Sequence, residues 1–152
     1  MTPHILFKQD LLTLLGVRLT SYYPHPDIDH PGIWVSSLFQ NIRKAICLGD
    51  ETAIAIACEL IHCDPRLPFG KLIKSDLARA LKKRSEKLGS EERAQIMEVT
   101  IRLLTMSYAP RELEDYVKLI RKLPREEYIS RTVSIQPQNE KAERLLSYLH
   151  QS

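Results

Sequence analysis

Residues 51–87 constrain the fold of this chain more than any other segment. A nearly all-apolar run, TAIAIACELI, is followed by two short turn sequences, CDP and PFG, and then by the strongly basic sequence KLIKSDLARALKKRSEK. The first part is apolar around a whole helical circumference, and the second carries apolar and cationic residues on opposite sides of a helix. The segment therefore predicts two packed helices, one central and one with a charged outer face.

Length and composition are those of an ordinary globular domain. The 152 residues are 43% hydrophobic and 27% charged, and we expect one domain over residues 1–152 that folds without a metal or disulfide. No uncharged apolar run approaches the roughly 18 residues that a helix needs to span a membrane. Lys8 and Asp10 interrupt the apolar N-terminal run, so a signal peptide is not expected. Three cysteines, an odd number, favour reduced thiols and a cytoplasmic location.

Glycine and proline divide the chain into seven apolar-periodic segments, none of which alternates with the period of a strand. The predicted helices occupy residues 5–19, 33–48, 50–63, 69–88, 90–107, 110–123 and 139–150. The sequence LPREEYISRTVSIQP is predicted to be a connection in which TVSI could be extended. These patterns predict a compact all-α domain of six or seven helices arranged as antiparallel pairs.

Several side chains have expected structural roles. Asp50 and Ser90 stand at N-cap positions of their helices. Arg84 projects onto the apolar side of its helix, so it must point outward, pair with an acid or cap the carboxyl end of a neighbouring helix. Glu59 is the one acid in the apolar helix, and a salt bridge to Arg84 or Lys74 is favoured over a functional carboxylate in a cleft.

Two helix pairs, residues 51–84 and 92–123, are offset by about 41 residues, which suits stacked helical pairs. The sequence CELIHCDPRLPFGKLIKSDLARALKK resembles a HEAT repeat, with an apolar first helix, an Asp-Pro turn and a second helix that carries a basic residue near its start. The resemblance assigns that basic position to Lys71 or Lys74. Its core positions would be filled by Leu60, Leu77 and Leu81. The second pair lacks the Asp-Pro turn, so a HEAT-like solenoid fragment and an irregular bundle both stay open.

Positive charge is concentrated in residues 66–87, which hold eight basic and two acidic residues. Their net charge is +6 against +3 for the whole chain, so the remaining residues together carry a negative charge. The candidate binding surface on this helix consists of Lys71, Arg79, Lys82, Lys83 and Lys87. A solvated helix face explains these cations, and so does a surface that contacts nucleic-acid phosphates or a protein partner.

Aromatic residues gather near the Pro-rich segment YYPHPDIDHPGIW. Tyr22, Tyr23 and Trp34 form a candidate loop patch for a partner, with a lid over the core as the alternative interpretation.

Two groups of residues have the chemistry of metal ligands. The first consists of His25, Asp27, Asp29 and His30. Their spacing is not that of a zinc site, and a solvated loop in which Asp29 caps the next helix is the favoured interpretation. The second consists of Cys58, His62 and Cys63, with Cys47 as a fourth ligand, and core packing is favoured there.

Common catalytic motifs are absent from the sequence. No serine lies in a Gly-x-Ser-x-Gly elbow, and the glycines are at least sixteen residues apart, which excludes phosphate-binding and dinucleotide loops of the common kinds. No catalytic residue and no cofactor is therefore assigned. The favoured hypothesis is a non-enzymatic interaction or adaptor domain with a protein partner. A nucleic-acid-binding regulator that uses the basic helix 71–87 is the alternative, and a metal-dependent enzyme is third.

Overall fold

The structure is a computed structural model that describes residue 5 and residues 8–25 and 30–151, apart from the side chains of Pro31 and Gly32. Within these residues the regular secondary structure is helical, and no β-strand is present. The predicted all-α class is therefore confirmed. Among the same residues, no helix is long and apolar enough to cross a membrane.

Eight α-helices and two 3-10 helices follow one another along the described part of the chain. The α-helices are α1 (Lys8–Leu15), α2 (Pro31–Cys47), α3 (Glu51–Cys63), α4 (Gly70–Lys83), α5 (Ser90–Leu104), α6 (Glu112–Ile120), α7 (Arg125–Thr132) and α8 (Glu140–His150). The 3-10 helices cover Val17–Tyr22 and Ser85–Lys87.

Helix α3 lies at the centre of the domain, as its apolar circumference predicts. It packs against α1, α2, α4 and α5. Seven of its thirteen residues are buried. Asp50 caps its start, because its carboxylate accepts hydrogen bonds from the amides of Thr52 at 3.0 Å and Ala53 at 3.3 Å. The predicted N-cap is confirmed, and it satisfies two of the amides that have no partner within the helix.

The helices form two layers of alternate members. Helices α1, α3, α5 and α7 contact one another in that order, and α2, α4, α6 and α8 do the same. Consecutive helices also pair, α3 with α4, α5 with α6 and α7 with α8. Buried residues of all eight α-helices belong to one hydrophobic cluster.

Contacts at both sides of α4 show that α2, α4 and α6 run in the same direction. Arg84, which follows α4, donates from Nε at 3.0 Å and from Nη2 at 2.5 Å to the carbonyl of Cys47 at the end of α2. On the other side, Glu112 at the start of α6 lies near Lys74, and Asp115 accepts a hydrogen bond from Arg79 at 3.2 Å. The amino-terminal ends of these three helices therefore share one side of the domain.

Two of the expected side-chain roles are decided by these contacts. Of the three alternatives for Arg84, the structure has the cap on a neighbouring helix, where a cation also opposes the negative end of the helix dipole. Glu59 pairs with Arg18, so the predicted partners Arg84 and Lys74 are wrong. Arg84 is held by the Cys47 carbonyl and Lys74 by Asp64, which leaves neither for Glu59.

The prediction for residues 125–132 is wrong. Residues 125–132 form α7, although the sequence predicts a connection there, and the TVSI sequence is not extended because Thr132 is helical and Val133 follows at φ −63°. Helix α7 packs against α5 and α8, and it buries Tyr128 and Thr132. The described chain therefore has one more α-helix than the predicted maximum of seven.

Several predicted helix ends also move. The predicted helix 5–19 divides at Gly16, whose φ of 86° ends α1 before the first 3-10 helix. The predicted helix 69–88 becomes α4 and a 3-10 turn, and 90–107 and 110–123 shorten to α5 and α6. Ser90 is the first residue of α5 and Gly89 holds the N-cap position, so the predicted Ser90 cap is wrong.

Candidate functional site in a charged cleft

A cleft of about 810 Å³ opens where the α3–α4 turn meets the α5–α6 turn. Four cations and two acids line it: Arg66, Lys71, Lys74, Arg102, Asp64 and Glu112. The two turns are adjacent because α3 packs on α5 and α4 packs on α6. The layered packing thus brings together charged residues of α4, α5 and α6 and of the α3–α4 turn.

Asp64 lies between two of the cations that line the cleft. It ends α3 in the left-handed conformation, with φ 50°, and its amide donates to the carbonyl of Leu60 at 2.9 Å. One carboxylate oxygen accepts from Lys74 Nζ at 2.7 Å, and the other lies 3.7 Å from Arg102 Nη2. Lys74 is only 7% exposed, so this pairing compensates for the burial of its charge. Asp64 therefore holds two cations in place beside the cleft.

Glu112 contributes a buried carboxyl at the start of α6. It is 5% exposed. Burial raises the pKa of Glu112 above its ordinary value, although the charges of Lys74 and Lys71 act in the opposite direction. The carboxylate form is therefore disfavoured in the fold, and a nearby anion would disfavour it further.

Tyr116 lies one helical turn after Glu112. Its side chain is fully buried, and its hydroxyl has no hydrogen-bond partner among the described residues. Burial raises the pKa of Tyr116 well above its ordinary value, and the carboxyls of Glu112 and Asp64 add to that shift. The hydroxyl is therefore neutral, and it lies close to both acids of the cleft.

Arg66 and Lys71 differ from Lys74 and Arg102 in their ion pairing. Both are exposed, and neither has an ion pair within the described part of the chain. The backbone carbonyl of Arg66 accepts a hydrogen bond from the amide of Ile5 at 2.6 Å, which fixes the turn but not the guanidinium. These two side chains are therefore available to an anionic group that enters the cleft.

Apolar side chains complete the cleft. Leu67, Leu103, Met106 and Tyr108 line it, and Tyr108 is 61% exposed. Phe69 precedes the lining residue Gly70, and it is also 61% exposed. Phe69 has a φ of 57°, which is unusual for a bulky residue. The cleft therefore combines charged side chains with apolar ones and with the exposed aromatic ring of Tyr108.

The five predicted cations of the basic helix do not form one uniform surface. Lys71 lies in the cleft, whereas Lys83 is twelve residues further along α4, about 18 Å away at the rise of a helix. Arg79 is engaged by Asp115 at 3.2 Å and by Asp76 at 3.6 Å. Lys82 and Lys83 occupy the last turn of α4, where cations stabilise the helix dipole. Lys87 belongs to the following 3-10 turn, where its side chain lies against Gly49.

The three aromatic residues of the predicted loop patch have different contacts. Tyr23 and Trp34 pack edge to face with ring centroids 5.3 Å apart, and Lys8 Nζ lies 4.7 Å from the centre of the Tyr23 ring. Trp34 is 3% exposed, so it belongs to the core. Tyr22 donates to Asp50 at 2.7 Å, and burial together with this hydrogen bond raises the pKa of Tyr22 to about 12.

The predicted metal ligands are only partly within the described residues. His25 and His30 are exposed, His30 holds the N-cap position of α2 without a side-chain cap, and Asp27 and Asp29 lie outside the described residues. Across the described ranges, no group of three or more histidine, cysteine or acidic side chains is placed to hold a metal ion.

In the second group of candidate ligands, Cys58 and His62 have different surroundings. Cys58 is buried in the core, and burial raises the pKa of its thiol. His62 Nε2 instead lies 3.3 Å from a carboxylate oxygen of Glu98.

Most residues of the cleft were not singled out as a site by the sequence. Lys71 and Lys74 were assigned to the basic position of a repeat, but Arg66, Arg102 and Glu112 had no predicted role. The Pro-Arg dipeptide of the α3–α4 turn at 65–66 recurs at 110–111 and at 124–125, so it does not single out the cleft. No protein-family model, curated protein or solved structure matches the chain.

Proposed function

We propose that this protein is a non-enzymatic interaction domain that binds a protein partner at the charged cleft. The observation that carries the proposal is a cleft of about 810 Å³ that combines the exposed Tyr108 side chain with two exposed cations, Arg66 and Lys71, that have no ion pair among the described residues. Arginine and aromatic residues are enriched at protein interfaces, and aromatic and arginine anchors supply much of their binding energy. Asp64 is engaged by Lys74 and Arg102, which suits a positioning role.

The proposal includes a HEAT-like stack of helix pairs as the scaffold. It is supported by the alternating contacts, in which odd-numbered and even-numbered helices each pack in order. Stacked helical pairs present their turns along one edge, where neighbouring turns create an extended binding surface. The cleft lies between two such turns. A cytoplasmic location is proposed as well, since Cys47, Cys58 and Cys63 are all free thiols.

Affinity capture from the native host tests the proposal. The wild-type chain is compared with a cleft variant, Arg66→Glu with Lys71→Glu, and with a matched surface variant, Lys83→Glu with Lys87→Glu. Both variants reverse two exposed cations. We expect the wild type and the surface variant to retain the same protein and the cleft variant to lose it. Equal retention by all three proteins, or no specific retention by the wild type, would contradict the proposal.

Nucleic-acid binding through the carboxyl-terminal end of α4 is a second candidate. It is supported by Lys82, Lys83 and Lys87, which have no ion pair among the described residues. Closely spaced cations bind polyanions by releasing counterions, and such binding weakens steeply as salt rises. Fluorescence anisotropy with a labelled mixed-sequence RNA at low salt tests this candidate. Binding that disappears in Lys82→Gln, Lys83→Gln and Lys87→Gln combined supports it, and no binding by the wild type eliminates it.

A further inference from the structure

The charged cleft has a strong imbalance in favour of positive charge. Arg66, Lys71, Lys74 and Arg102 face two acids, and Asp64 balances part of the charge of Lys74 and Arg102. Glu112 feels the charges of Lys74 and Lys71, which act against the burial that raises its pKa. The two cations without an ion pair within the described chain are Arg66 and Lys71, so the complementary ligand carries negative charge.

The form of the cleft favours an extended ligand over a small anion. Its volume of about 810 Å³ is near the upper end of the range for ligand sites. Leu103, Met106 and Tyr108 form an apolar part of the lining, which a bare phosphate or carboxylate would leave without contacts. A ligand that fits both parts combines separated anionic groups with apolar side chains.

The two acids of the cleft distinguish between kinds of polyanion. A nucleic acid carries a charge on every nucleotide, and its phosphates would approach Asp64 and Glu112 as well as the cations. Like charges brought together across an interface oppose binding. A peptide can instead place a carboxylate beside Arg66 or Lys71 and an uncharged side chain beside Glu112. The lining therefore suits a peptide with alternating acidic and apolar residues.

We infer that the cleft binds an acidic peptide segment of the partner, with its Asp or Glu carboxylates on Arg66 and Lys71 and an apolar side chain against Leu103, Met106 and Tyr108. This inference rests on the proposed function and names the chemistry of the partner. Arginine forms two parallel hydrogen bonds with a carboxylate, and this pairing adds geometric specificity as well as binding energy. Lys74 and Arg102, which lie beside Asp64, add to the positive potential of the cleft.

Selection from a displayed library of random twelve-residue peptides tests the inference with the full chain as bait. The Arg66→Glu/Lys71→Glu variant serves for counter-selection. We expect enrichment of Asp and Glu together with apolar residues. Synthetic copies of the enriched peptides should bind the cleft variant at least about tenfold more weakly than the wild type, a difference typical of reversed interface charges. Lys83→Glu/Lys87→Glu should bind within about twofold of the wild type, because its changes lie at the other end of α4.

A second variant separates the two parts of the ligand. Tyr108→Ala removes an exposed aromatic side chain without changing charge, so it should weaken binding about threefold or more and leave the salt dependence unchanged. Circular dichroism of each variant checks the fold. A labelled twelve-nucleotide RNA and inorganic phosphate are titrated in parallel.

Four outcomes overturn the inference: no enrichment, enriched peptides without acidic residues, equal binding by wild type and cleft variant, or tighter cleft-dependent binding of the RNA or of phosphate. Failure of the proposed function looks different. If a captured partner depends on the cleft but its binding segment is not acidic, the peptide inference fails and the interaction domain stands. If the captured partner is independent of the cleft, the proposed function itself fails.

Discussion

At the amino-terminal end of α4, Lys74 is buried and bonded to Asp64, whereas at the carboxyl-terminal end Lys83 is exposed and has no ion pair among the described residues. The two lysines belong to one basic helix, and their sequence context is similar. Their physical roles differ because packing buries Lys74 beside Asp64 and leaves Lys83 exposed. A cluster of cations in a sequence therefore does not identify a binding surface until the partners of each cation are known.

Of the changes that distinguish the two ends of α4, replacing Lys74 should have the largest effect, and the effect should appear in the free energy of unfolding. Lys74→Met keeps the aliphatic side chain but removes the charge, and among the described residues Asp64 then keeps the longer ion pair with Arg102 alone. Breaking a largely buried ion pair should lower the free energy of unfolding by about 2 kcal/mol, allowing for partial exposure of Asp64. Lys83→Met should change it by no more than about 0.5 kcal/mol. Urea unfolding measures the free energy of unfolding of both variants. Equal losses would contradict the expected difference between Lys74 and Lys83.

Arg84 is expected to give the next largest effect. Arg84→Ala leaves the Cys47 carbonyl without its guanidinium and removes a cation from the end of α2. The expected loss is about 1–2 kcal/mol in the free energy of unfolding. Arg84→Lys keeps the charge but cannot donate both hydrogen bonds, so it should lose about half as much. Thermal unfolding compares the three proteins, and an unchanged midpoint for Arg84→Ala would show that the cap is unimportant.

The packing that creates this contrast could be predicted from sequence only in part. Helices α3 and α4 could be predicted from the spacing of their apolar residues, because each buries residues that are close together in the sequence. Helix α7 could not be recognised in this way, since its sequence, REEYISRT, has few apolar residues and only Tyr128 and Thr132 are buried. Its stability comes from neighbours, including the pair between Arg93 and Glu127 at 2.9 Å.

The cleft is even harder to predict from the sequence than α7. Asp64 and Glu112 are 48 positions apart, and they line one cleft only because α3 packs on α5 and α4 packs on α6. Neither residue belongs to a motif with a recognised spacing. The basic composition of α4 was visible in the sequence, but which of its cations would face a cleft depended on the packing of α5 and α6.

A smaller effect is expected for the exposed ion pair in the middle of α4. Arg79→Ala should lower the free energy of unfolding by no more than about 0.5 kcal/mol, because the Arg79 side chain is exposed and its pairs with Asp115 and Asp76 are weakened by solvent. A double-mutant cycle with Asp115→Asn measures the pair directly. A coupling energy as large as the loss from Lys74→Met would contradict the ranking.

The smallest effect at neutral pH is expected for Glu112, and it should appear as a pH dependence. The pKa of Glu112 is raised in the fold, so the folded state retains a proton that the unfolded state loses near pH 4.5. Its contribution to stability is present below that pH and is lost as pH rises through the folded-state pKa. Glu112→Gln should therefore be more stable than the wild type at pH 7, with a flatter pH profile. Greater stability of the wild type at pH 7 would show that the carboxylate is instead stabilised.

Calorimetric titration of the captured partner tests the central claim most directly, since it compares the two ends of α4 in one binding measurement. The wild type, Arg66→Glu/Lys71→Glu and Lys83→Glu/Lys87→Glu are titrated under the same conditions. The account predicts that the first pair of changes weakens binding at least about tenfold and the second by no more than about twofold. The reverse order would contradict it, because the partner would then bind the exposed carboxyl-terminal end of α4 and not the cleft.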